Sequence, residues 1–470
     1  MRPSYVTLEM MLDARERRAA IQYDMLQTLQ PSSSDGMSTG CLVCLTLNIA
    51  GEIKRTPMTR MLFDRGIAAF NALGLTVLQE HQIDEATGSE AFWLVRDDAK
   101  EVKAQLEKVE ESLPAARLFD FDVLIPGGEK LSRATPRRCL VCDAPAAECA
   151  RSRAHGLDAI KAATNKLLKE FCADTLAQAA YGALLDELYT TPKPGLVDKA
   201  NNGAHKDMDI PLFEKSAASL LPYFRKAILL GMEGCDMAAL RKCGAAGEQA
   251  MFEATGGVNT HKGMVYSMGL LLAGMGHTLT AADTEAGDNS EEDPNMDPVA
   301  AAIQYASALA SQDAEARLKA SEEAPSTNGG KVLAAYGAKG ATGEAMAGFP
   351  HAVFCAEHLR WYRDHNYDNA GALAFCDSMA ALEDTNLLHR GGPDGLAFTQ
   401  QMAAHIASMP IFQRAEALTE MDRIMILRNL SPGGSADMLA LAFLLEHWRS
   451  LSAALELPLS DSTSNKGGTL

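Results

Sequence analysis

The chain has 470 residues, 47% apolar and 22% charged, with a formal net charge of −18. That length suggests two to four domains with real cores, and the acidic balance excludes a general nucleic-acid binder, which carries a basic excess. Residues 1–157 hold 19 Lys and Arg against 22 Asp and Glu, the remainder 24 against 39. A phosphate site in the second part therefore needs a pocket that is locally basic on an acidic background.

Residues 8–30 have the composition of a helix, ended by Pro-Ser-Ser-Ser-Asp-Gly at 31–36. The apolar run at 41–49 predicts a strand, residues 58–73 a helix closed by Gly74, and 75–82 and 91–95 two further strands. A charged helix is expected over 97–112, and the alternation LFDFDVLI at 118–125 predicts a half-buried strand. From Asp158 the texture changes. Ala, Leu and Met dominate, and helical spacing recurs at 158–188, 211–230, 236–254, 263–279, 298–320, 350–361, 370–383, 396–407 and 436–455. The expected fold is multidomain: an N-terminal α+β domain over 1–157 and a larger all-α domain over 158–470. Residues 281–297 read as a mobile acidic loop and the last ten as a frayed tail. No run approaches the roughly 18 apolar residues of a membrane span, and the charged start has no signal-peptide core. No membrane partner, a cytoplasmic location and ten reduced cysteines are expected.

Three polar features punctuate the helical part. The first, TPKPGLVDKANNGAHKDMD (Thr191 to Asp209), is about twenty residues where a helix connection has roughly two to eight. It carries Lys193, Gly195, Asp198, Asn202, His205, Lys206 and Asp207. The second, TGGVNTHKG at 255–263, sets glycines, Asn259, His261 and Lys262 before a helix start, a pattern suited to an anion. The third comprises Asp384 with Arg390 and Gly391, and Gly433, Gly434, Ser435 and Asp437. Carboxylates with hydroxyls suit Mg²⁺ held partly through substrate phosphate, although Asp437 equally suits a helix cap.

These pieces, ELYTTPKPGLVDKANNGAHKDMD, GGVNTHKG, EDTNLLHRGG and LSPGGSADMLA, resemble the triphosphoribosyl-dephospho-coenzyme A synthase family (CitG type) over nearly all of 165–455. The resemblance implies condensation of ATP with 3′-dephospho-CoA and release of adenine, with an oxocarbenium-like transition state as in glycosyl transfer. It suggests Asp198, His205 and Asp207 as catalytic candidates. Lys193, Gly195, Asn202, Lys206, Asn259, His261, Lys262, Arg390, Gly391, Gly433, Gly434 and Ser435 would contact substrate, and Asp207, Asp384 and Asp437 would hold Mg²⁺.

In the first part, Arg133, Arg137, Arg138, Arg151 and Arg153 cluster against Asp143 and Glu148, which suits polyphosphate or an acidic protein partner. Cys41-x-x-Cys44 and Cys139-x-x-Cys142 invite a zinc reading, but 94 residues lie between the pairs, against roughly 15–20 in a zinc ribbon. Thiols three apart on a strand also point to opposite faces. No zinc is expected. LTLNIAGEIKRTPMTRMLFDRG, ARLFDFDVL and LSRATPRRCLVCDAPAAECARSRAH resemble the citrate lyase holo-acyl-carrier-protein synthase family (CitX type) over about 8–157. That implies transfer of the phosphoribosyl-dephospho-CoA group to a serine of the acyl-carrier (gamma) subunit, with loss of pyrophosphate. Arg137 and Arg138 would act at the reacting phosphate, with Lys54, Arg60, Arg133, Arg151 and Arg153 neutralising charge. Asp120 and Asp122 would hold Mg²⁺ from one strand face, and His155 is a candidate base. Two alternatives stay open: a helical domain serving malonate decarboxylase, and an N-terminal domain that only binds the carrier protein.

Overall fold

The computed structural model describes residues 5–29, 40–142, 144–281, 296–312 and 328–456. The expected stop at 31–36, Asp143, nearly all of the acidic loop at 281–297, residues 313–320 of the helix expected over 298–320, and the tail lie outside the described residues. The chain forms two compact units, the first built mainly on Met1–Cys172 and the second on Ala173–Thr278 and Asn295–Ser450.

The first unit is a four-stranded antiparallel sheet with helices. Helix α1 (Leu8–Gln27) starts at Thr7, whose hydroxyl accepts from the Met10 N–H. Strand β1 (Cys41–Leu47) follows, then α2 (Pro57–Asn71), β2 (Val77–Glu85), β3 (Gly88–Val95), α3 (Ala99–Glu110) and β4 (Phe119–Leu124). The sheet order is β2-β3-β1-β4. Strand β1 is internal, pairing Leu42 with both Leu94 and Leu124, and it is covered on both faces. That is why its sequence is a continuous apolar run, as in any strand buried on two sides. Leu42 and Cys44 pack with Met25 and Leu26 of α1. On the α2 side, a Cβ at Gly66 would lie 2.8 Å from Leu45 and 3.1 Å from Phe119, so glycine lets that helix lie close to the sheet. Cys41 and Cys44 are both core residues, and burial pushes each thiol up to about 12. The short helix α4 (Ala146–Ser152) was not expected from sequence.

The second unit is helical throughout its described residues. Its elements are α5 (Leu157–Tyr189, whose start lies in the first unit), α6 (Ile210–Ser219), α7 (Leu221–Met232), α8 (Met237–Thr255), α9 (Lys262–Ala281) and α10 (Pro298–Ser311). There follow α11 (Asn328–Tyr336), α12 (Gly340–Met346), α13 (Pro350–Asp364), α14 (Ala370–Ala381), α15 (Thr385–Ser408), α16 (Ile411–Leu427) and α17 (Gly433–Glu456). Helix α9 is apolar nearly all round, because it is packed on several sides. A Cβ at Gly231 of α7 would meet the Ala273 carbonyl oxygen at 1.9 Å, and one at Gly274 would meet that of Ala302 at 2.1 Å. Glycine thus permits backbone-to-backbone contact on two sides of α9. Helix α15 begins eleven residues before the helix expected at 396–407: two helical stretches meet at Gly392, at φ 60, just ahead of Pro393, and only the second was anticipated. Among the described residues, no helix is long and apolar enough to cross a membrane.

Candidate active sites

The loop between α5 and α6 is ordered by its own polar groups. Asp198 accepts the Lys193 N–H at 2.9 Å through one oxygen, and the N–H groups of Ala200 and Asn201 at 2.7 and 3.1 Å through the other. Asp422 reaches in from α16 and accepts the Gly195 N–H and the Asn201 amide, both at 2.8 Å. Gly195 has φ 75, and a Cβ there would lie 2.4 Å from the Leu430 carbonyl oxygen, so only glycine fits. Asn202, Lys206 and Asp207 stand exposed on the loop's rim.

The Lys193 side chain turns inward. It is 2% exposed, and its ammonium donates to the Glu187 carbonyl at 2.9 Å and pairs with the Glu187 carboxylate. Beside this pair three helix starts meet. Asp384, at the head of α15, accepts the N–H groups of Asn386 and Leu387 (2.9 and 3.2 Å) and, from the head of α17, the Ser435 N–H and hydroxyl (2.8 and 3.0 Å). A Cβ at Gly263, in the first turn of α9, would lie 3.0 Å from the Asp437 carboxylate. Gly433 and Gly434 keep the head of α17 against Asn386 and Asp384, where a Cβ would lie 2.4 and 3.1 Å from those side chains. Helix N-termini present free N–H groups and partial positive charge, which favours bound phosphate. Asp437 lies among them without a hydrogen bond or ion pair to the described residues. Burial first, then Asp384 and Glu187, push its carboxyl well above the usual range.

A second chain of contacts closes the other side. Arg390 donates to the Ala204 carbonyl and to Asn429, both at 3.2 Å, and to His205 Nδ1 at 3.4 Å. His205 Nε2 then donates to the Ser431 hydroxyl at 2.9 Å. Burial, then the Arg390 guanidinium, lower the His205 imidazole to about 4 against the pull of Asp207. The ring is therefore neutral at physiological pH. We predict that its NMR signals stay unshifted between about pH 7.5 and 5.5, where an ordinary histidine titrates; a midpoint near 6.5 would contradict this contact chain.

The glycine loop at 255–263 is less open than its sequence suggests. His261 is buried on the Ser216 hydroxyl at 2.7 Å and lowered to about 4 by burial and Lys193. Asn259 accepts the Lys262 N–H at 3.2 Å, and the Lys262 ammonium faces Glu248 at 3.3 Å. Gly391 packs on Leu430, where a Cβ would lie 2.5 Å from a side-chain methyl. Sequence reasoning missed Glu187 and Asp422. Asp422 left a readable trace: an acidic residue on the inward face of α16 breaks its apolar stripe, and that helix was itself not anticipated.

In the first unit the expected residues fall into two groups. Asp120 and Asp122 share a face of β4. Arg137 bridges Asp120 and Glu110 at 2.8 Å each, Arg133 pairs with Glu110, and Asp122 pairs with Lys130 at 2.5 Å. Arg138, Arg151 and Arg153 are exposed nearby in sequence. Arg60 is held between Asp64 at 2.9 Å and Asp84 at 3.1 Å, and Lys54 donates to the Ile49 carbonyl at 2.6 Å.

Comparison with known proteins matches both units. Residues 6–171 match the family model for apo-citrate lyase phosphoribosyl-dephospho-CoA transferase (CitX), and residues 173–455 that for ATP:dephospho-CoA triphosphoribosyl transferase (CitG). A protein named CitXG from Haemophilus influenzae is 34% identical over 468 residues, covering 95% of this chain and 97% of that one. A CitXG protein from Leuconostoc mesenteroides is 29% identical over 94% of this chain and 97% of its own length. A 2-(5″-triphosphoribosyl)-3′-dephosphocoenzyme-A synthase from Haemophilus ducreyi is 36% identical over 64% of this chain and 97% of its own length. A sheet-based unit that matches one transferase family, joined to a helical unit that matches another, defines a bifunctional transferase. The chain belongs to the CitXG family, in which synthesis and attachment of the citrate lyase prosthetic group are joined.

Proposed function

We propose that the helical unit joins ATP to 3′-dephospho-CoA at the meeting point of the three helix starts, and that the first unit passes the product to the acyl-carrier subunit of citrate lyase in the cytoplasm. The observation that carries this reading is the unpaired Asp437 carboxyl among the N-termini of α9, α15 and α17, beside the Lys193–Glu187 pair. The partial positive charge at the N-termini of α9, α15 and α17 suits the triphosphate. The dephospho-CoA ribose 2′-hydroxyl attacks C1 of the ATP ribose as the bond to adenine breaks. Asp437, its carboxyl held well above the usual range, lends a proton to the departing adenine and takes one back from the attacking hydroxyl. The product is 2′-(5″-triphosphoribosyl)-3′-dephospho-CoA.

Of the five carboxylates expected to hold Mg²⁺, Asp384 is engaged by four donors, Asp120 by Arg137 and Asp122 by Lys130. That leaves Asp207 and Asp437. We assign Asp437 to proton transfer and Asp207 to the metal, which would neutralise triphosphate charge. Arg390, with Lys206 and Lys262 on the rim, completes the phosphate contacts. Asp198 and His205 act by holding the loop in place.

In the first unit the carrier serine attacks the phosphate nearest the ribose, and pyrophosphate leaves. Arg137, Arg138, Arg151 and Arg153 neutralise the charge, since such transfer rests mainly on positioning and electrostatics. Incubating the full chain with ATP and dephospho-CoA alone tests the first half: adenine and the triphosphoribosyl product should appear in equal amounts. Adenine without that product would mean hydrolysis and would overturn the reading.

A further inference from the structure

Between Leu124 and Leu157 the first unit has almost no core. Among the described residues of 125–156, the only buried side chains are Cys139 and Cys149. Yet the segment is tightly folded. A turn is closed by Cys139 N–H to the Ala144 carbonyl and Ala146 N–H to the Arg137 carbonyl, both at 2.8 Å. Helix α4 then runs for seven residues with no side-chain cap and ends at Arg153, at φ 50. Seven residues do not sustain a helix alone in water, and a segment without an apolar core needs another source of stability.

The turn and helix bring four donor atoms together. Cys142 Sγ lies 3.5 Å from Cys149 Sγ and 3.2 Å from His155 Nε2, and these atoms with Cys139 Sγ all fall within 4.8 Å of one another. The edge of a tetrahedron around zinc with sulfur ligands is about 3.8 Å, so the set is nearly of that size. A disulfide, at roughly 2 Å, is not formed. We propose that Cys139, Cys142, Cys149 and His155 bind one Zn²⁺ in a closed structural site that folds the arginine-bearing segment of the transferase unit.

The spacing Cys-x2-Cys-x6-Cys-x5-His corrects the expectation of no zinc. That expectation weighed Cys139 and Cys142 against Cys41 and Cys44, which are core residues of β1, whereas the partners lie just downstream. Three thiolates with an imidazole in tetrahedral array favour zinc over hard cations such as Mg²⁺. Four protein ligands leave no open position, so the role is structural. The backbone N–H groups of Cys142 and Val141 are directed at the Cys139 sulfur, as suits a thiolate ligand. The site would fix Arg137 and Arg138 at one end of the turn, Arg151 on the helix and Arg153 just past its end. His155, a candidate base by sequence, becomes a ligand.

Metal analysis of the full chain, purified without chelators, should find about one zinc per chain. Cobalt substitution should give the thiolate charge-transfer and intense d–d bands of a tetrahedral sulfur-rich site. Cys142→Ser, Cys149→Ser and His155→Ala should each lose the metal. His155→Cys should keep it, and so should the double variant Cys235→Ser, Cys243→Ser. A metal-free chain with these thiols free, a Cys142–Cys149 disulfide, or full zinc in both Cys142→Ser and His155→Ala would overturn the proposal. Metal content is read without any transferase assay, so its outcome is independent of the proposed reactions.

Discussion

Replacing Asp437 with Asn should slow adenine release by about 10²–10⁴-fold, the range for loss of a positioned acid–base group. The fold should not suffer. A carboxyl whose folded pKa is raised stabilises the protein at low pH, and that contribution is lost as pH rises through the folded pKa. Above that pH the ionised group is a burden, because burial, Asp384 and Glu187 all oppose its charge. The amide has the same shape and no charge. Asp437→Asn should therefore unfold at the same temperature as the parent, or higher, at pH 8. It should also still transfer preformed triphosphoribosyl-dephospho-CoA to the carrier. Adenine release at the parental rate would remove Asp437 from the reaction.

The second large effect concerns stability. Lys193 and Glu187 form a buried pair, with side chains 2% and 9% exposed. Removing one member of such a pair strands the other's charge and costs about 3–5 kcal/mol. Lys193→Met should lower the stability of the helical unit by that much, read from its denaturant transition. Adding Glu187→Gln should recover most of the loss, because the stranded carboxylate is the cause. A Lys193→Met chain as stable as the parent would show that the pair is solvated.

The fold was legible where burial imposes a pattern. The unbroken apolar run of β1 announced a strand covered on both faces, and α9 announced a helix packed on several sides. Helix α16 was not legible, because Asp422 points inward to hold Gly195 and Asn201 and so breaks the stripe. In the site, residue types were readable but partners were not. The sequence offers Asp384 and Asp437 as similar carboxylates near helix starts. Only tertiary contact separates them: Asp384 receives four donors from two helix starts, while Asp437 receives none from the described residues. Likewise, nothing in the spacing announces Glu248 beside the Lys262 ammonium, 3.3 Å away. The cysteines make the same point. Spacing between CxxC pairs decides nothing when the groups gathered beside Cys139 and Cys142 are a helix cysteine and a histidine after it.

The central claim is that one chain both makes the prosthetic group and attaches it. Intact-mass measurement of the apo acyl-carrier subunit, after incubation with the full chain, ATP, dephospho-CoA and Mg²⁺, tests it most directly. The account predicts a carrier heavier by one phosphoribosyl-dephospho-CoA group on a single serine, with adenine and pyrophosphate released in step. A carrier that remains unmodified while adenine accumulates, or one modified only when a separate transferase is added, would contradict it.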